Sequence, residues 1–561
     1  NKYGALTMKD YLKKIVADAE FRAENFMMNQ ILDSGSKEFG GFAKDMDIVQ
    51  PKTTIYGVTT LISLYNFKDS RFYLSDEVLK RINIALDYIA RFQREDGTFD
   101  YLSCNFYSAP DTAFCVKRLL PSFFYLQKHL DIPENKGFLE KITAIIERAA
   151  DGIAKGGFHT PNHRWAIASV LMACANIFGR EKYRQKANLY LNEGIDCNEY
   201  GEYSERSSGN YNRINDEAMI ILYEQTGKEK YLDYAKRNLE MMFYYFEPDG
   251  SIFTKNSTRY DKSGKFYPRD YYFDYLYVGF LQKNSQFLSA AAKIMDDVIK
   301  RGDLAPDCLN LLLSHEELMS LLKSDIDLNP AFPDRYSFFN PNSGIFRVRK
   351  GKFSYSVLAK NPYFLYFQVG ELSIGARLNV NFFEHHEFIP EKIEKTSSGV
   401  KISSKFKGWF YCPFNEKPQE TDWWKMDHDK REKIDGPVLD IDAEIKETED
   451  GIDLHLSIDG CDRIPFAIEF SVDSNDFLIK TPSFIHKPVL GSMLVIKEGY
   501  AEISKDCSIM KIGPSFGEHF FVQSGNKENS SFYFTGFTNF KNVISFRMVS
   551  QRFKNESDSL H

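Results

Sequence analysis

The sequence predicts a ring of helical hairpins, an α/α toroid, followed by an antiparallel β-sandwich. Three observations predict this fold: glycine-containing loops recur about every 50 residues in the first half, helix-period sequence separates them, and two-residue alternation replaces that period in the second half. The loops are Gly40-Gly41-Phe42, Asp96-Gly97-Thr98-Phe99, Gly156-Gly157-Phe158-His159, Gly201-Glu202-Tyr203 and Asp249-Gly250-Ser251-Ile252-Phe253.

Helical spacing dominates residues 7–325. Apolar residues lie three and four positions apart in 8–32, 75–92 and 229–246, and the loops between helices carry Gly, Asp and Pro. Some six hairpins of this kind fit an α/α toroid or an incomplete one. An open superhelical solenoid has the same sequence signal and is the main alternative.

The character of the sequence changes between Asp325 and Gly344, where three prolines interrupt a stretch rich in Asn, Asp and Phe. A chain of 561 residues is too long for one ordinary core. We therefore place the domain boundary here and predict a toroid over 1–328 and a sandwich domain over 329–561.

The second half is predicted as hairpins. Residues 346–350 and 353–357 alternate around Gly351 and read as strand, turn, strand. Glu449-Asp450-Gly451 and Lys497-Glu498-Gly499 lie between similar alternating runs. Repeated hairpins without helices favour an antiparallel sandwich over about 340–552, and 554–561 reads as a polar tail.

Composition limits the partners. The net charge of −7 and the lack of a basic block argue against a nucleic-acid binder, and there is no run of about 18 apolar residues that would span a membrane. None of the eight cysteines has zinc-type spacing, and His385 and His386, as neighbours in a strand, would point to opposite faces. We predict no metal and no cofactor.

The loop at Gly156-Gly157 leads into the first polar cluster. Thr160 and Pro161 are typical of a helix start, as N-cap and first helical residue. This places Asn162, His163 and Arg164 in the first turn, where free N–H groups and the helix dipole favour an anion. Three such side chains together are candidates for gripping a carboxylate; ordinary helix-start hydrogen bonding is the alternative.

The loop at Gly201 leads into the second polar cluster, residues 205–213. Tyr211 lies in it between two Asn, and a Tyr can act as general base and then general acid when nearby cations favour its phenolate. Packing is the alternative role for one Tyr among 32. A further basic patch, 254–260, follows the fifth loop, where cleft and solvated-loop roles both stay open.

Together the two clusters resemble the heparinase II/III-like and alginate polysaccharide lyases. Asn162-His163 at a helix start is followed about 50 residues later by Glu205, Ser208 and Tyr211, in a Glu-x-x-Ser-x-x-Tyr pattern. The resemblance covers the two-domain layout of nearly the whole chain. It implies an anionic oligosaccharide or polysaccharide substrate and, for an enzyme of this kind, a periplasmic or extracellular location.

The resemblance also implies roles for individual residues. Asn162, with His163 and Arg164, would neutralise a uronate carboxylate, and Tyr211 or His163 would remove the C5 proton in a β-elimination at a 4-linked uronic acid. Those relatives also use a His from an early sandwich strand; here Arg377 and His385 are both candidates. The remaining substrate-binding candidates are His159, Glu205, Asn212, Arg213, Arg259 and Tyr260.

Three further readings stay open at this point. Lyases that remove L-rhamnose from a glucuronate of plant arabinogalactan are one subgroup of these relatives, although no residue pattern here is specific to them. A glycoside hydrolase on the same toroid would need paired carboxylates, for which Asp111, Glu205, Asp216 and Glu217 are candidates. A noncatalytic carbohydrate-binding protein would need only aromatics and a groove.

Overall fold

The computed structural model of the chain describes residues 5–44, 48–474, 476–522 and 529–549. It divides into two compact units, one formed by 1–246 and 250–332 and the other by 247–249 and 333–561. The predicted polar tail, 554–561, lies outside the described residues. Among the described residues, no helix is both long enough and apolar enough to cross a membrane.

The described residues of the first unit form thirteen α-helices. The helices predicted at 8–32, 75–92 and 229–246 are observed as Met8–Met28, Asp76–Phe92 and Glu229–Met242. Four short strands form two small hairpins, β1 Ala43–Lys44 with β2 Ile48–Val49 and β3 Phe99–Tyr101 with β4 Asn105–Ser108. The helices are α1 Met8–Met28, α2 Pro51–Asn66, α3 Asp76–Phe92, α4 Ala109–Lys128, α5 Pro133–Lys155, α6 Pro161–Phe178, α7 Glu181–Asn192, α8 Tyr211–Thr226, α9 Glu229–Met242, α10 Tyr272–Leu281, α11 Ser285–Arg301, α12 Leu309–Ser314 and α13 Glu316–Leu322.

The helices close into a ring. The Tyr11 hydroxyl of α1 donates to Asp296 of α11 at 2.7 Å, and the Met8 N–H donates to the Ile326 carbonyl at 3.1 Å. The first helix therefore packs against the last ones, as in a toroid and unlike an open solenoid.

Two of the recurring loops need glycine for the same structural reason. Gly97 and Gly201 adopt φ of +93° and +81°, and a Cβ on either would clash with a carbonyl oxygen, that of Arg148 in α5 or of Arg237 in α9. Each loop thus passes close to the backbone of an outer helix, which only glycine permits.

The second unit holds two nine-stranded sheets that share one apolar core. The first sheet has the order β18-β21-β15-β9-β8-β7-β6-β5, with β10 on β9, and the second has the order β11-β12-β13-β14-β22-β20-β19-β16-β17. The strands are β5 Arg335–Asn340, β6 Ile345–Lys350, β7 Phe353–Leu358, β8 Tyr363–Val369, β9 Leu372–Phe382, β10 His385–Glu387, β11 Lys392–Lys395, β12 Gly399–Tyr411, β13 Lys433–Glu447, β14 Gly451–Gly460, β15 Pro465–Val472, β16 Leu478–Lys480, β17 Ile485–His486, β18 Met493–Val495, β19 Ala501–Lys505, β20 Ser508–Gly513, β21 Ser530–Phe537 and β22 Phe540–Met548.

The predicted hairpins are confirmed at two places and wrong at a third. β6 and β7 pair antiparallel around Gly351, and β13 and β14 around 448–450. Residues 497–499 instead join β18, which pairs parallel with β21, to β19 of the other sheet. Apolar and polar residues alternate on both sides of 497–499 because each flanking strand has one buried face. Such alternation does not show which strand is its neighbour in a sheet.

Candidate active site

A cavity of about 1050 Å³ lies within the first unit. Its wall is built mainly from every second helix, α2, α4, α6, α8 and α10, together with the residues around α12. It extends along α8 from Tyr211 to Glu224, a rise of about 20 Å. Six of the predicted site residues line it: His159, His163, Tyr211, Arg213, Arg259 and Tyr260.

His163 is a neutral imidazole at the start of α6. Thr160 is the N-cap, as predicted, and Pro161 opens the helix. The His163 Nδ1 accepts from the His159 backbone N–H at 3.3 Å, which assigns the ring proton to Nε2. Burial lowers the pKa of His163 to about 4, with smaller contributions from His159, Arg259 and Lys52 against the opposing charge of Asp111. The side chain therefore serves as a hydrogen-bond donor at neutral pH.

Arg259 links Tyr211 to a buried carboxylate. Its guanidinium carbon lies 4.8 Å from the Tyr211 ring centroid, and its Nε lies 3.4 Å from Oε1 of Glu205. Burial opposes the charge of Arg259, but interactions with Tyr211 and Glu205 leave its pKa raised. A permanent cation is thus fixed beside the Tyr211 ring, and Tyr260 packs edge-on against that ring with centroids 6.1 Å apart.

Asn162 lies behind the cavity wall and is fully buried. Its Nδ2 donates to the two carboxylate oxygens of Glu205 at 3.1 and 2.9 Å and to Thr160 Oγ1 at 3.1 Å. Glu205 is itself buried, and burial raises its pKa against the effects of Asn162 and Arg259. The structure therefore gives Asn162 an internal partner where the sequence analysis expects a substrate carboxylate.

Two other predicted residues also point away from the cavity. Arg164 pairs with Glu193 at 3.0 Å and Asp196 at 3.7 Å. Asn212 is buried, with its Nδ2 3.8 Å from the Met242 sulfur. Their positions follow from the helical period, which turns successive residues of one helix end to different sides.

Lys52 is a cavity residue that the sequence analysis missed. Its Nζ lies 3.7 Å from Asp111 Oδ1 and 4.3 Å from the Tyr101 ring centroid, and all three residues line the cavity. Lys52 follows Pro51 at the start of α2, as Asp111 follows Pro110 in α4. One sequence signal could have indicated Lys52 as a site residue: it is a charged residue directly after the proline that opens an otherwise apolar helix.

A charged cluster forms another part of the wall. Lys117 and Arg213 both pair with Glu217, the latter at 2.9 Å. Burial raises the pKa of Glu217, but these two cations outweigh it and hold the pKa below its usual value. Asp274, which the sequence analysis did not select, has its pKa raised well above its usual value by burial and by Glu217. The pKa values of these two carboxyl groups are therefore shifted in opposite directions.

The other acidic candidates are placed differently. Asp111 lines the cavity and accepts from Ser108 and Asn105. Asp216 is fully buried outside the cavity wall and accepts from the Tyr203 hydroxyl at 3.0 Å. Across the described part of the chain, no three His, Cys, Asp or Glu side chains gather into a group that would hold a metal ion.

Arg377 and His385, the candidates from the second half, lie in the second unit. Arg377 of β9 pairs with Glu469 at 2.6 Å and with Glu387 at 3.6 Å. His385 of β10 stacks on Phe406 with centroids 4.2 Å apart. Each side chain has a partner within its own unit.

The fold was compared with those of known proteins. No family model and no curated protein matches the chain. Among solved structures, a Paenibacillus xanthan lyase matches 96% of this chain with a TM-score of 0.55 and 10% identity. A chondroitinase AC lyase matches 97% with a TM-score of 0.51 and 11% identity. The fold is polysaccharide lyase-like.

The extent of these matches differs. The chain spans 56% of the xanthan lyase chain and 83% of the chondroitinase chain. An α-mannanase from Bacteroides thetaiotaomicron also matches, over 55% of this chain with a TM-score of 0.34, which is too low to carry an argument. At such identities the likeness concerns the fold alone.

Proposed function

We propose that this chain is a polysaccharide lyase that cleaves a uronate-containing glycan by β-elimination at a 4-linked uronic acid, leaving a 4,5-unsaturated uronyl end. The observation that carries the proposal is Tyr211 on the cavity wall, beside the cation of Arg259 and in the same cavity as neutral His163. The polysaccharide lyase-like fold of the chain supports it. The toroid is the proposed catalytic domain.

The first requirement of the reaction is to neutralise the uronate carboxylate. The C5 proton is only weakly acidic, and charge develops on the carboxylate oxygens as that proton leaves. Lys52 and Arg259 supply positive charge at the cavity, and His163 supplies an Nε2–H donor. Fixed donors of this kind stabilise the enolate-like transition state more than the ground state.

Tyr211 is the proposed base. In this step the Tyr211 phenolate takes the C5 proton, the C–H electron pair forms the C4–C5 double bond, and the C4–O4 bond breaks. The phenol then returns its proton to O4 of the leaving sugar. Arg259 places a fixed positive charge beside the Tyr211 ring. Because His163 Nδ1 is occupied by a backbone N–H and Nε2 carries the proton, the structure favours Tyr211 over His163 as the base.

Asn162 and Glu205 position Arg259 in this scheme. Glu205 holds the guanidinium on its buried side, and Asn162 holds both oxygens of Glu205. The pair sets where the cation lies relative to Tyr211. Arg213, His159 and Tyr260 remain proposed substrate contacts because they line the cavity.

Glycoside hydrolysis is the second candidate, and one observation favours it. On the same cavity wall the pKa of Asp274 is raised and that of Glu217 is lowered, and pKa values shifted apart in this way suit the acid and the base of a glycosidase. A hydrolase of this kind would depend on Asp274 and Glu217 and would tolerate the loss of the Tyr211 hydroxyl.

One experiment separates the candidates. The chain is incubated with a panel of uronate glycans, starting with rhamnose-capped glucuronate in arabinogalactan, the substrate of one subgroup of the lyases that the sequence resembles. Ultraviolet absorbance of the conjugated uronyl product and new reducing ends are recorded together. A rise in both that is lost in Tyr211→Phe and kept in the control Tyr231→Phe, a tyrosine outside the cavity wall, supports the lyase.

The other outcomes count against it. Reducing ends without the ultraviolet product, lost in Asp274→Asn, indicate hydrolysis. Binding without any cleavage of the whole panel indicates a carbohydrate-binding protein. Full activity of Tyr211→Phe removes the proposed base.

A further inference from the structure

Three of the four tryptophans of the chain lie close together in the sequence of the second unit. Trp409, Trp423 and Trp424 belong to the end of the hairpin formed by β12 and β13. Every side chain of residues 409–437 is described, and none is buried. Trp424 is 90% exposed and Trp423 49%. Aromatic side chains seldom gather where no core exists to receive them, and an exposed cluster rimmed by polar residues marks a binding surface.

Four rings of this hairpin form a continuous row. Centroid distances are 4.6 Å from Trp409 to Tyr411, 5.5 Å from Tyr411 to His428 and 4.2 Å from His428 to Trp423. We call Trp409, Tyr411, His428 and Trp423 the aromatic row. Trp424 adjoins it in the short 3-10 helix Trp423–Lys425.

Hydrogen bonds at the ring edges hold the row in place and leave the ring faces available for contact. His428 Nε2 lies 2.7 Å from the Trp423 carbonyl, and Arg431 Nε donates to His428 Nδ1 at 3.1 Å. Trp409 Nε1 donates to Glu384 at 3.1 Å. Asp422 caps the turn by accepting from the Trp424 N–H at 3.2 Å. These bonds preorganise the rings, which lowers the entropy lost on binding a ligand.

Cations lie against the same rings. Lys433 Nζ is 3.9 Å from the Trp409 ring centroid and 5.4 Å from that of Tyr411, and Arg431 is 5.4 Å from that of Trp423. The segment 409–437 also carries seven Asp and Glu against five Lys and Arg. Its rim therefore offers both hydrogen-bond donors and acceptors, with a small net negative charge.

We propose that the aromatic row and Trp424 bind a polysaccharide chain, at a site separate from the catalytic cavity. Flat exposed rings suit the apolar C–H faces of pyranose rings, and a rim of mixed donors and acceptors suits sugar hydroxyls. A membrane surface fits poorly because carboxylates interrupt the aromatic surface and its net charge is negative. The binding rests on stacking and needs no activity in the cavity.

The surface is confined to one face of the hairpin. Phe410 and Ile434 are cross-strand partners, and by strand alternation they point opposite to Trp409 and Tyr411. They are 62% and 59% exposed. Phe410 therefore provides a matched control: an exposed aromatic on the same strand but on the other face.

The test uses the full chain with Tyr211→Phe, so that cleavage does not alter the ligand, in affinity electrophoresis through gels containing arabinogalactan. Retardation is expected, and it should persist in high salt and with the carboxyl-reduced polymer because stacking, not charge, holds the sugar. Adding Trp423→Ala and Trp424→Ala should weaken binding about tenfold or more. Adding Phe410→Ala should leave it unchanged, and circular dichroism checks the fold of each variant.

Several results would overturn the proposal. Unchanged retardation in the double tryptophan variant would do so, as would equal loss in the Phe410→Ala variant. Binding to anionic phospholipid vesicles in place of the polysaccharide would assign the surface to a membrane, and self-association lost with the tryptophans would assign it to a second copy. Failure of the wild-type chain to cleave any uronate glycan would contradict the lyase alone and leave this binding test standing.

Discussion

The side-chain amide of Asn162 donates to the carboxylate of Glu205 inside the wall of the cavity, with Nδ2 3.1 Å from Oε1 and 2.9 Å from Oε2. Glu205 in turn contacts Arg259, the cation beside Tyr211. A residue that the sequence analysis assigns to the substrate is thus bound to a protein carboxylate. Its influence on the reaction is expected to pass through Arg259.

This relationship predicts non-additive mutations. Asn162→Ala and Glu205→Gln should each lower kcat/KM by about tenfold to a hundredfold because Arg259 shifts relative to Tyr211. The double variant should be little worse than either single variant, since the residues act as one unit. Steady-state kinetics of the four proteins measure the coupling. Effects that multiply would show that Asn162 contacts the substrate independently.

Lys52 should contribute to carboxylate binding. Lys52→Met keeps the apolar stem and removes the charge, and we expect kcat/KM on a uronate substrate to fall about tenfold to a hundredfold. The loss should shrink on the methyl-esterified substrate, whose carboxyl group has no charge. Lys230→Met is the control, because Lys230 also lies over a tyrosine ring, at 5.0 Å from Tyr231, but outside the cavity wall. Equal losses on both substrates would remove Lys52 from this role.

Burial of neutral His163 should make the fold sensitive to acid. The folded pKa of about 4 lies below the ordinary value of 6.5, so the unfolded chain binds this proton first as pH falls. The free energy of unfolding should therefore decrease between about pH 6.5 and 4, by no more than about 3 kcal/mol and less after solvent screening. His163→Gln should flatten that part of the curve in denaturant titrations. Parallel curves for the two proteins would contradict the assignment.

Asp274 and Asp270 should change the free energy of unfolding in opposite directions as the pH rises. The pKa of Asp274 is raised in the fold, mainly by burial, so its stability cost grows as pH rises above the unfolded value of 3.8. Burial also acts to raise the pKa of Asp270, but Arg213 and Arg269 outweigh it and leave that pKa lowered, so the ionised Asp270 stabilises the fold above that pH.

Asp274→Asn should therefore gain stability relative to wild type between pH 4 and 7, and Asp270→Asn should lose it, each by about 1 kcal/mol. Denaturant unfolding at the two pH values gives both differences. If both substitutions changed the free energy of unfolding in the same direction, the opposite pKa shifts assigned to the two carboxyl groups would be contradicted.

The sequence predicted what local chemistry determines. The Thr160-Pro161 helix start, the hairpin around Gly351 and the glycine loops each follow from the conformational limits of a few adjacent residues. The sequence did not predict contacts between distant residues. Three features depend on partners from other elements: the joining of two sheets by 497–499, the raised pKa of Asp274 and the amide of Asn162 turned toward Glu205.

The site was predicted in part for the same reason. His163 lies in the first turn of α6, a helix start that the sequence predicts, and Tyr211 opens α8. The ring brings these two helix starts to one cavity. Lys52 and Asp274 are single charged residues in apolar helices. Their place in the cavity wall depends on how the helices of the ring pack, which the local sequence does not show.

Hydrolysis adds an oxygen atom from water at the cleaved bond, whereas β-elimination adds none. Labelled water therefore distinguishes the proposed lyase from a hydrolase directly. The wild-type chain is incubated with a cleavable uronate glycan in water labelled with heavy oxygen, and both new ends are weighed by mass spectrometry. The account predicts an unsaturated uronyl end without label and a leaving sugar without label, because O4 stays with the sugar that leaves. Heavy oxygen incorporated at a new reducing end by cleavage, corrected for exchange of that end in labelled water, would contradict it.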